Sequence, residues 1–338
     1  MKILNHSPLG VQLFRNAEGD DRISAFVLCA LTCTIGPEAL TIAQAQLPLE
    51  TDANQPHPHD AMLPKERAAS VCATGFVYAA GGSATEALAR LSVGERAHEV
   101  VAIGARVWRK SMLGSVATSP LPFQRIPMAW NRAFGGEVKR AWTTQKIDGE
   151  TMIVPGHSSH FPANPEGMGF YLTADDAVEQ PLPVLEDPAH RIEKVDDWPE
   201  PRCFAPYAMW GALRAQLVLK PDGKEIEKKD IPRITTRAVP LLTFDRIAPG
   251  TRITLAGMRP DGADLAFTVP EPPVALRVAI GPDLAHVEPT LDSVDIDAEA
   301  QTARFVYRAP FAYDLVKREQ RRIDVEPTAA LGALRRSA

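Results

Sequence analysis

The pair His157 and His160 in Gly156-His157-Ser158-Ser159-His160-Phe161 is the first place to look for chemistry in this 338-residue chain. Two imidazoles three positions apart, beside two serines, suit a metal pair or a hydroxyl activated by a ring nitrogen. No GxSxG elbow surrounds those serines, however, and no acidic orienter is implied locally, so the expectation is a polar exposed loop. His57 and His59 flank Pro58 in a spacing that also permits metal binding, but no third ligand stands nearby. Glu186 and Asp187 are adjacent, and in an extended backbone neighbouring side chains point to opposite faces, so they cannot act as a paired acid and base. They are better placed to accept hydrogen bonds from backbone amides or from Arg125 or Arg132, tying irregular loops together. The four cysteines, Cys29, Cys33, Cys72 and Cys203, have neither CxxC spacing nor disulfide density. Cys29 and Cys33 lie four apart in an apolar run and, as strand residues, share a face, which makes them small core residues. Neither GxGxxG nor GxxxxGK followed by Ser or Thr is present, so no phosphate-cradling loop is expected. The chain is therefore read without catalytic residues, metal or cofactor.

Recognition is the better-supported role for the stretch Leu121 to Gly136, reading LPFQRIPMAWNRAFGG. Pro122 and Pro127 remove backbone donors, and the Gly135-Gly136 pair gives up side-chain packing, so the segment must be held by its side chains. Trp130 and Phe134 supply apolar anchors, while Arg125 and Arg132 offer forked donors. Gly167 and Gly169, on either side of Met168, read as positions needing positive φ or close packing against Phe170.

Stepping out to the elements that must hold these groups, alternation at period two dominates both ends of the chain and predicts a mainly β fold, an antiparallel sandwich-like framework. Val11 and Leu13 open a strand pattern, Ala25 to Ile35 reads as a fully buried strand, and Val100 to Trp108 as another. Ala84 to Leu91 is the exception, with Ala84, Leu88 and Leu91 spaced as on a short helix or a loop excursion. Toward the other end, Ile253 and Leu255, then Leu265, Phe267 and Val269, then Val274 to Ile280, alternate in turn. Val294 and Ile296 are expected to pair with Phe305 and Tyr307 across the Asp297 to Thr302 turn, the whole forming an antiparallel meander with one buried face. Between Ser119 and Trp210 lie twelve of the thirty prolines. Such a stretch cannot supply regular ladders, and is expected to lie on the framework pinned by Trp142, Phe161, Phe170, Tyr171, Trp198, Phe204, Tyr207 and Trp210. The organisation read from this is a β-rich region over 1–118, a proline- and aromatic-rich irregular region over 119–235 with few short helices, a β meander over 236–326, and a frayed tail over 327–338.

At 45% hydrophobic residues the chain can bury a sizeable core, while a net charge of -5 argues against nucleic-acid binding. Lys317 to Arg322, the one locally basic run, is read as the solvated end of the last structured element. The first residues, MKILNHSPLG, lack the apolar core of a secretory signal, and Ile23 to Pro37 and Ala68 to Thr85 read as buried strands, so a soluble, cytoplasmic protein without membrane partners is expected.

The 121–136 stretch, Asn164-Pro165-Glu166-Gly167-Met168-Gly169-Phe170 and Leu182-Pro183-Val184-Leu185-Glu186-Asp187-Pro188 together resemble, in order and spacing, the bacterial domain-of-unknown-function 2169 family. Pro64-Lys65, Thr74 to Gly82 and Gly104 to Trp108 resemble its N-terminal half. The resemblance implies a cytoplasmic adaptor or chaperone of the type VI secretion system that loads toxic effectors onto the spike, its partners being an effector and a PAAR-like or VgrG-type spike protein. Arg125, Trp130, Arg132, Phe134, Asn164 and Glu186 are the candidate partner-binding residues; they serve equally well as determinants of the fold. The chain departs from the family at Val184, where asparagine is usual, at Cys203-Phe204-Ala205-Pro206, where a glycine-rich turn is expected, and over Gly211 to Val239, which looks shortened. A β-rich hydrolase using His157 or His160, and a carbohydrate- or ligand-binding sandwich, are the alternatives.

Overall fold

The computed structural model describes residues 1–17, 21–37, 39–49, 68–112, 114–138, 142–147, 149–155, 159–207, 238–315 and 319–336. The fold is mainly β. Its backbone is the 14-residue strand Arg22–Ile35, whose apolar run from Ala25 to Leu31 reflects burial on both faces. Ala25, Val27, Cys29, Leu31 and Cys33 enter the main core, as the shared face of the two cysteines predicts. Phe26, Leu28 and Ala30 pack with Val306 on the opposite side. Burial pushes both thiols up to about 12, so neither is a thiolate near neutrality.

Arg22–Ile35 pairs antiparallel along its whole length with Thr302–Asp314, and on its other side with Gly10–Ala17 and Leu40–Ile42. Thr290–Asp297 adds to Thr302–Asp314 with Val294 opposite Phe305, and Ala69–Thr74 adds parallel to that strand. Thr243–Phe244 and Arg335–Arg336 complete an eight-stranded sheet. A five-stranded sheet runs in the order Leu185–Glu186, Arg96–Ile103, Glu86–Val93, Arg252–Ala256, Leu265–Thr268, and a four-stranded one in the order Lys2–Asn5, Arg321–Pro327, Val274–Ile280, Asp283–Val287. Their inner faces share one core: Leu91, Val100, Ile253 and Leu255 meet Leu276, Val278, Ile323 and Val325 together with the large sheet. Each such side chain contributes about 1.5–3 kcal/mol by leaving water.

Several expectations are corrected. Ala84 to Leu91 is not helical: Glu86–Val93 is a strand with ladders on both sides, Ala89, Leu91 and Val93 inside and Leu88 50% exposed. Backbone pairing to two neighbours outweighs the helical propensity of Ala and Leu there. The Val100 to Trp108 run breaks after Ile103, because Gly104 lies against the Leu121 carbonyl and the chain turns before Trp108–Ser111. The expected C-terminal meander is three hairpins, each given to a different sheet. The tail carries a helix, Ala329–Ala333, with Leu331 buried in the main core, followed by the Arg335–Arg336 strand. Inside the proline-rich region a regular hairpin, Trp142–Ile147 with Glu150–Pro155, forms around an Asp-Gly turn sequence. Trp210, the Gly211 to Val239 block as far as residue 237, Lys317 and Arg318 lie outside the described residues.

Candidate functional site

Between Pro181 and Tyr207 the chain has almost no ladder of its own; Leu185–Glu186 pairs with Val101 and Ala102 at the edge of the five-stranded sheet. Apolar anchors, Leu182, Leu185, Ile192, Phe204 and Tyr207, hold it, together with buried ion pairs. Glu186, 2% exposed, receives Arg106 through Oε1 and the Ile192 amide through Oε2 at 3.2 Å, with Arg191 Nε 3.3 Å from the same oxygen. Arg106 also donates to the Pro183 carbonyl at 3.1 Å, and Arg191 reaches Glu86 at 2.6 Å. The alternating series Glu86, Arg191, Glu186, Arg106 thus joins a sheet strand to two loops.

Asp187 turns to a different set of partners, as adjacent residues of an extended chain must. Its Oδ2 accepts from Arg202 at 2.6 and 3.0 Å and meets His190 Nδ1 at 3.3 Å, while Oδ1 accepts the Ala189 amide at 3.0 Å. Burial raises the Asp187 carboxyl, but the Ala189 amide, His190 and Arg202 outweigh it and hold it below the usual carboxylate range. Arg202 donates also to Nδ1 of His98 at 3.1 Å. His98 is 3% exposed and packs against Phe204. Burial first, then the Arg202 charge, lower its pKa to about 4 against the pull of Asp187, so its ring is neutral at pH 7 and carries its proton on Nε2. Of the expected partners, backbone amides or Arg125 or Arg132, the amides are present at Ile192 and Ala189, while the guanidiniums are instead Arg106, Arg191 and Arg202. Pairing of Arg125–Pro127 with Phe76–Tyr78 carries Arg125 away, to lie over the Phe76 ring at 4.2 Å and near Glu299 at 3.9 Å.

A second support is built on Asn164, which is 1% exposed. Its side-chain amide donates to the carbonyls of Trp130 at 2.9 Å and Phe134 at 3.0 Å, and its own carbonyl accepts the Gly136 and Gly167 amides. Gly167 is required by proximity, since a Cβ there would sit 2.7 Å from Gly135 Cα; Gly169 is required by its φ of +96°. Trp130 is buried, donates from Nε1 to the Ala205 carbonyl at 3.0 Å and meets Tyr207 edge-on. Phe134 packs with Trp108, Phe170 and Leu182 in a separate cluster, edge-on to Phe161. Cys203 and Phe204, at the departure from the family's glycine-rich turn, are fully buried, and burial drives the Cys203 thiol to about 12.

Of the six candidate contact residues, the structure therefore places Trp130, Phe134, Asn164 and Glu186 in the interior, where they shape a surface without presenting themselves on it. Arg125 and Arg132 are exposed, and Arg132 makes no ion pair with a described residue. His160 is exposed on a short strand opposite Glu137, while His57, His59, His157 and Ser158 lie outside the described residues. Among the described residues no group of three His, Cys, Asp or Glu side chains is arranged to hold a metal ion, and no helix is long and apolar enough to cross a membrane. Arg106, Arg191, Arg202 and His98 are functional partners that no local pattern in the sequence marks, since Arg106 lies 80 residues from Glu186 and Arg202 lies 104 from His98.

A mainly β scaffold carrying an irregular segment on buried ion pairs is the class of protein that these features define. The model of the family described as an uncharacterized protein conserved in bacteria, DUF2169, matches residues 20–308, and the chain belongs to that family. No curated protein and no solved structure matches it.

Proposed function

We propose that this protein is a non-enzymatic cytoplasmic adaptor, or chaperone, that binds a type VI secretion effector or its PAAR-like spike-tip domain and helps load it onto the VgrG-type spike. The observation that carries this reading is the charge lattice of Glu86, Arg191, Glu186 and Arg106 with Asp187, Arg202 and His98, of which Arg106, Glu186, Asp187 and His98 are buried. It fixes a proline-rich segment that has few backbone ladders, and so creates a rigid irregular surface suited to shape recognition. In this reading Arg125 and Arg132 face the client, while Trp130, Phe134, Asn164 and Glu186 hold the surface in place. Co-expression with the product of a neighbouring effector-like gene tests it: the two copurify, and Arg132→Glu weakens the complex without changing the thermal unfolding of the free protein. Failure to copurify with every neighbour that carries a spike or toxin domain would overturn the proposal.

A further inference from the structure

The last strand of the five-stranded sheet, Leu265–Thr268, pairs on one side only. Its inward hydrogen bonds are set by Val269, whose N–H donates to Thr251 and whose carbonyl accepts from Gly250, both at 2.9 Å. In an antiparallel ladder this role alternates along the strand, so Phe267 and Leu265 also bond inward and Ala266 and Thr268 turn N–H and C=O outward. Neither Ala266 nor Thr268 has a backbone partner on that side among the described residues. Such an edge is normally blunted by a charge, a proline or a covering element.

This edge lies in a groove of about 890 Å³, walled by the Pro37 corner and the Ala329–Ala333 helix. The groove continues, past Pro270, Glu271 and Ala330, into a pocket of about 440 Å³ with Tyr307 among its lining residues. Tyr307 is 1% exposed and its hydroxyl reaches the Pro270 carbonyl only at 3.5 Å, the limit of a hydrogen bond. Arg252, Asp264 and Glu271 stand exposed around the groove, free of ion pairs with described residues and mixed in sign. No single-sign field selects a charged ligand, and the complement is a segment of low net charge.

We propose that this edge captures an extended polypeptide segment of low net charge as an added strand, with one bulky apolar side chain of that segment seated in the pocket beside Tyr307. Backbone groups in register recognise a main chain, and the pocket at the end of the run recognises a side chain; a small ligand would use the second without the first. Only the identification of that segment with the client depends on the adaptor reading.

The test uses a phage-displayed library of random peptides against the full chain. Peptides with a recurring bulky apolar residue are enriched, and binding slows hydrogen exchange at the Ala266 and Thr268 amides. Ala266→Pro removes an N–H that the fold does not use and weakens binding roughly tenfold or more. Ala329→Trp, at a residue that lines the pocket and not the groove along the edge, weakens it as well. Should Ala266→Pro fail to fold, exchange protection in the unaltered chain decides. Enrichment of nothing, or full-strength binding to both variants, overturns the proposal, as does self-association of the chain that Ala266→Pro abolishes, which would give the edge to a second copy. An effector that copurifies in full yield with Ala266→Pro sinks the client assignment and leaves the adaptor reading standing; peptides that bind while no effector copurifies do the reverse.

Discussion

In the large sheet, alternate residues of Arg22–Ile35 meet carbon on both faces, whereas between Leu185 and Arg202 the apolar anchors Leu185 and Ile192 are joined by buried ion pairs. The first region spreads its stability over many small apolar contributions. The second adds a few charged groups, each of which leaves an uncompensated charge in the interior when a partner is removed. Order can thus be imposed on a segment poor in backbone ladders, provided that each buried ion keeps its partner.

Breaking one partner gives the largest expected effect. Glu186→Ala strands Arg106 beneath the surface and is expected to cost about 3–5 kcal/mol in denaturant unfolding. Replacing the pair together, Arg106→Met with Glu186→Leu, costs less than Glu186→Ala, because no buried charge is left over; an equal or greater loss would show that the lattice contributes more than mutual neutralisation. Leu31→Ala in the sheet costs about 2–5 kcal/mol, and the same amount at pH 8 and pH 5.

The two regions also part company in acid. His98 has its pKa lowered from 6.5 to about 4, so the unfolded chain takes up a proton across that window while the folded one does not. Stability therefore falls as pH drops from 6.5 toward 4, by about 3 kcal/mol at the lower end. His98→Gln, which keeps an acceptor for Arg202, flattens this slope and leaves stability at pH 8 little changed. Asp187 adds its own loss lower down, since a depressed carboxyl contributes stability above its unfolded pKa and gives it up as pH falls through the folded one. A slope that survives His98→Gln unaltered would remove His98 from the account.

The smallest effects belong to the exposed arginines. Arg125→Ala loses the contact with the Phe76 ring and costs about 0.5–1 kcal/mol. Arg132→Ala stays within about 0.5 kcal/mol in unfolding, and under the adaptor proposal its expected consequence is in client binding alone.

How much of this was legible in the sequence follows from the range of the interactions involved. Period-two alternation reports one strand's faces, so Ala25 to Ile35 and the strands from Ile253 to Tyr307 could be recognised, as could the burial of Cys29 and Cys33. Sheet membership depends on partners far away in sequence, so three hairpins in three sheets looked like a single meander. Glu86–Val93 was misread because Ala84, Leu88 and Leu91 happen to fit a helical spacing, and its two flanking ladders leave no local trace. In the candidate site, the opposed partners of Glu186 and Asp187 and the tight quarters of Gly167 and Gly169 follow from backbone geometry. Which arginine reaches which carboxylate depends on how loops fold across the sheet, and Arg106, Arg191 and Arg202 could not be singled out.

The alignment of Thr302–Asp314 along the full length of Arg22–Ile35 bears on how the protein is made. While the ribosome works through the rest of the chain, the most apolar strand of the N-terminal region waits with one edge unmatched and its two oily faces uncovered. Fragments that stop short of Thr302 would carry that strand permanently unsheltered, a liability for clumping during expression.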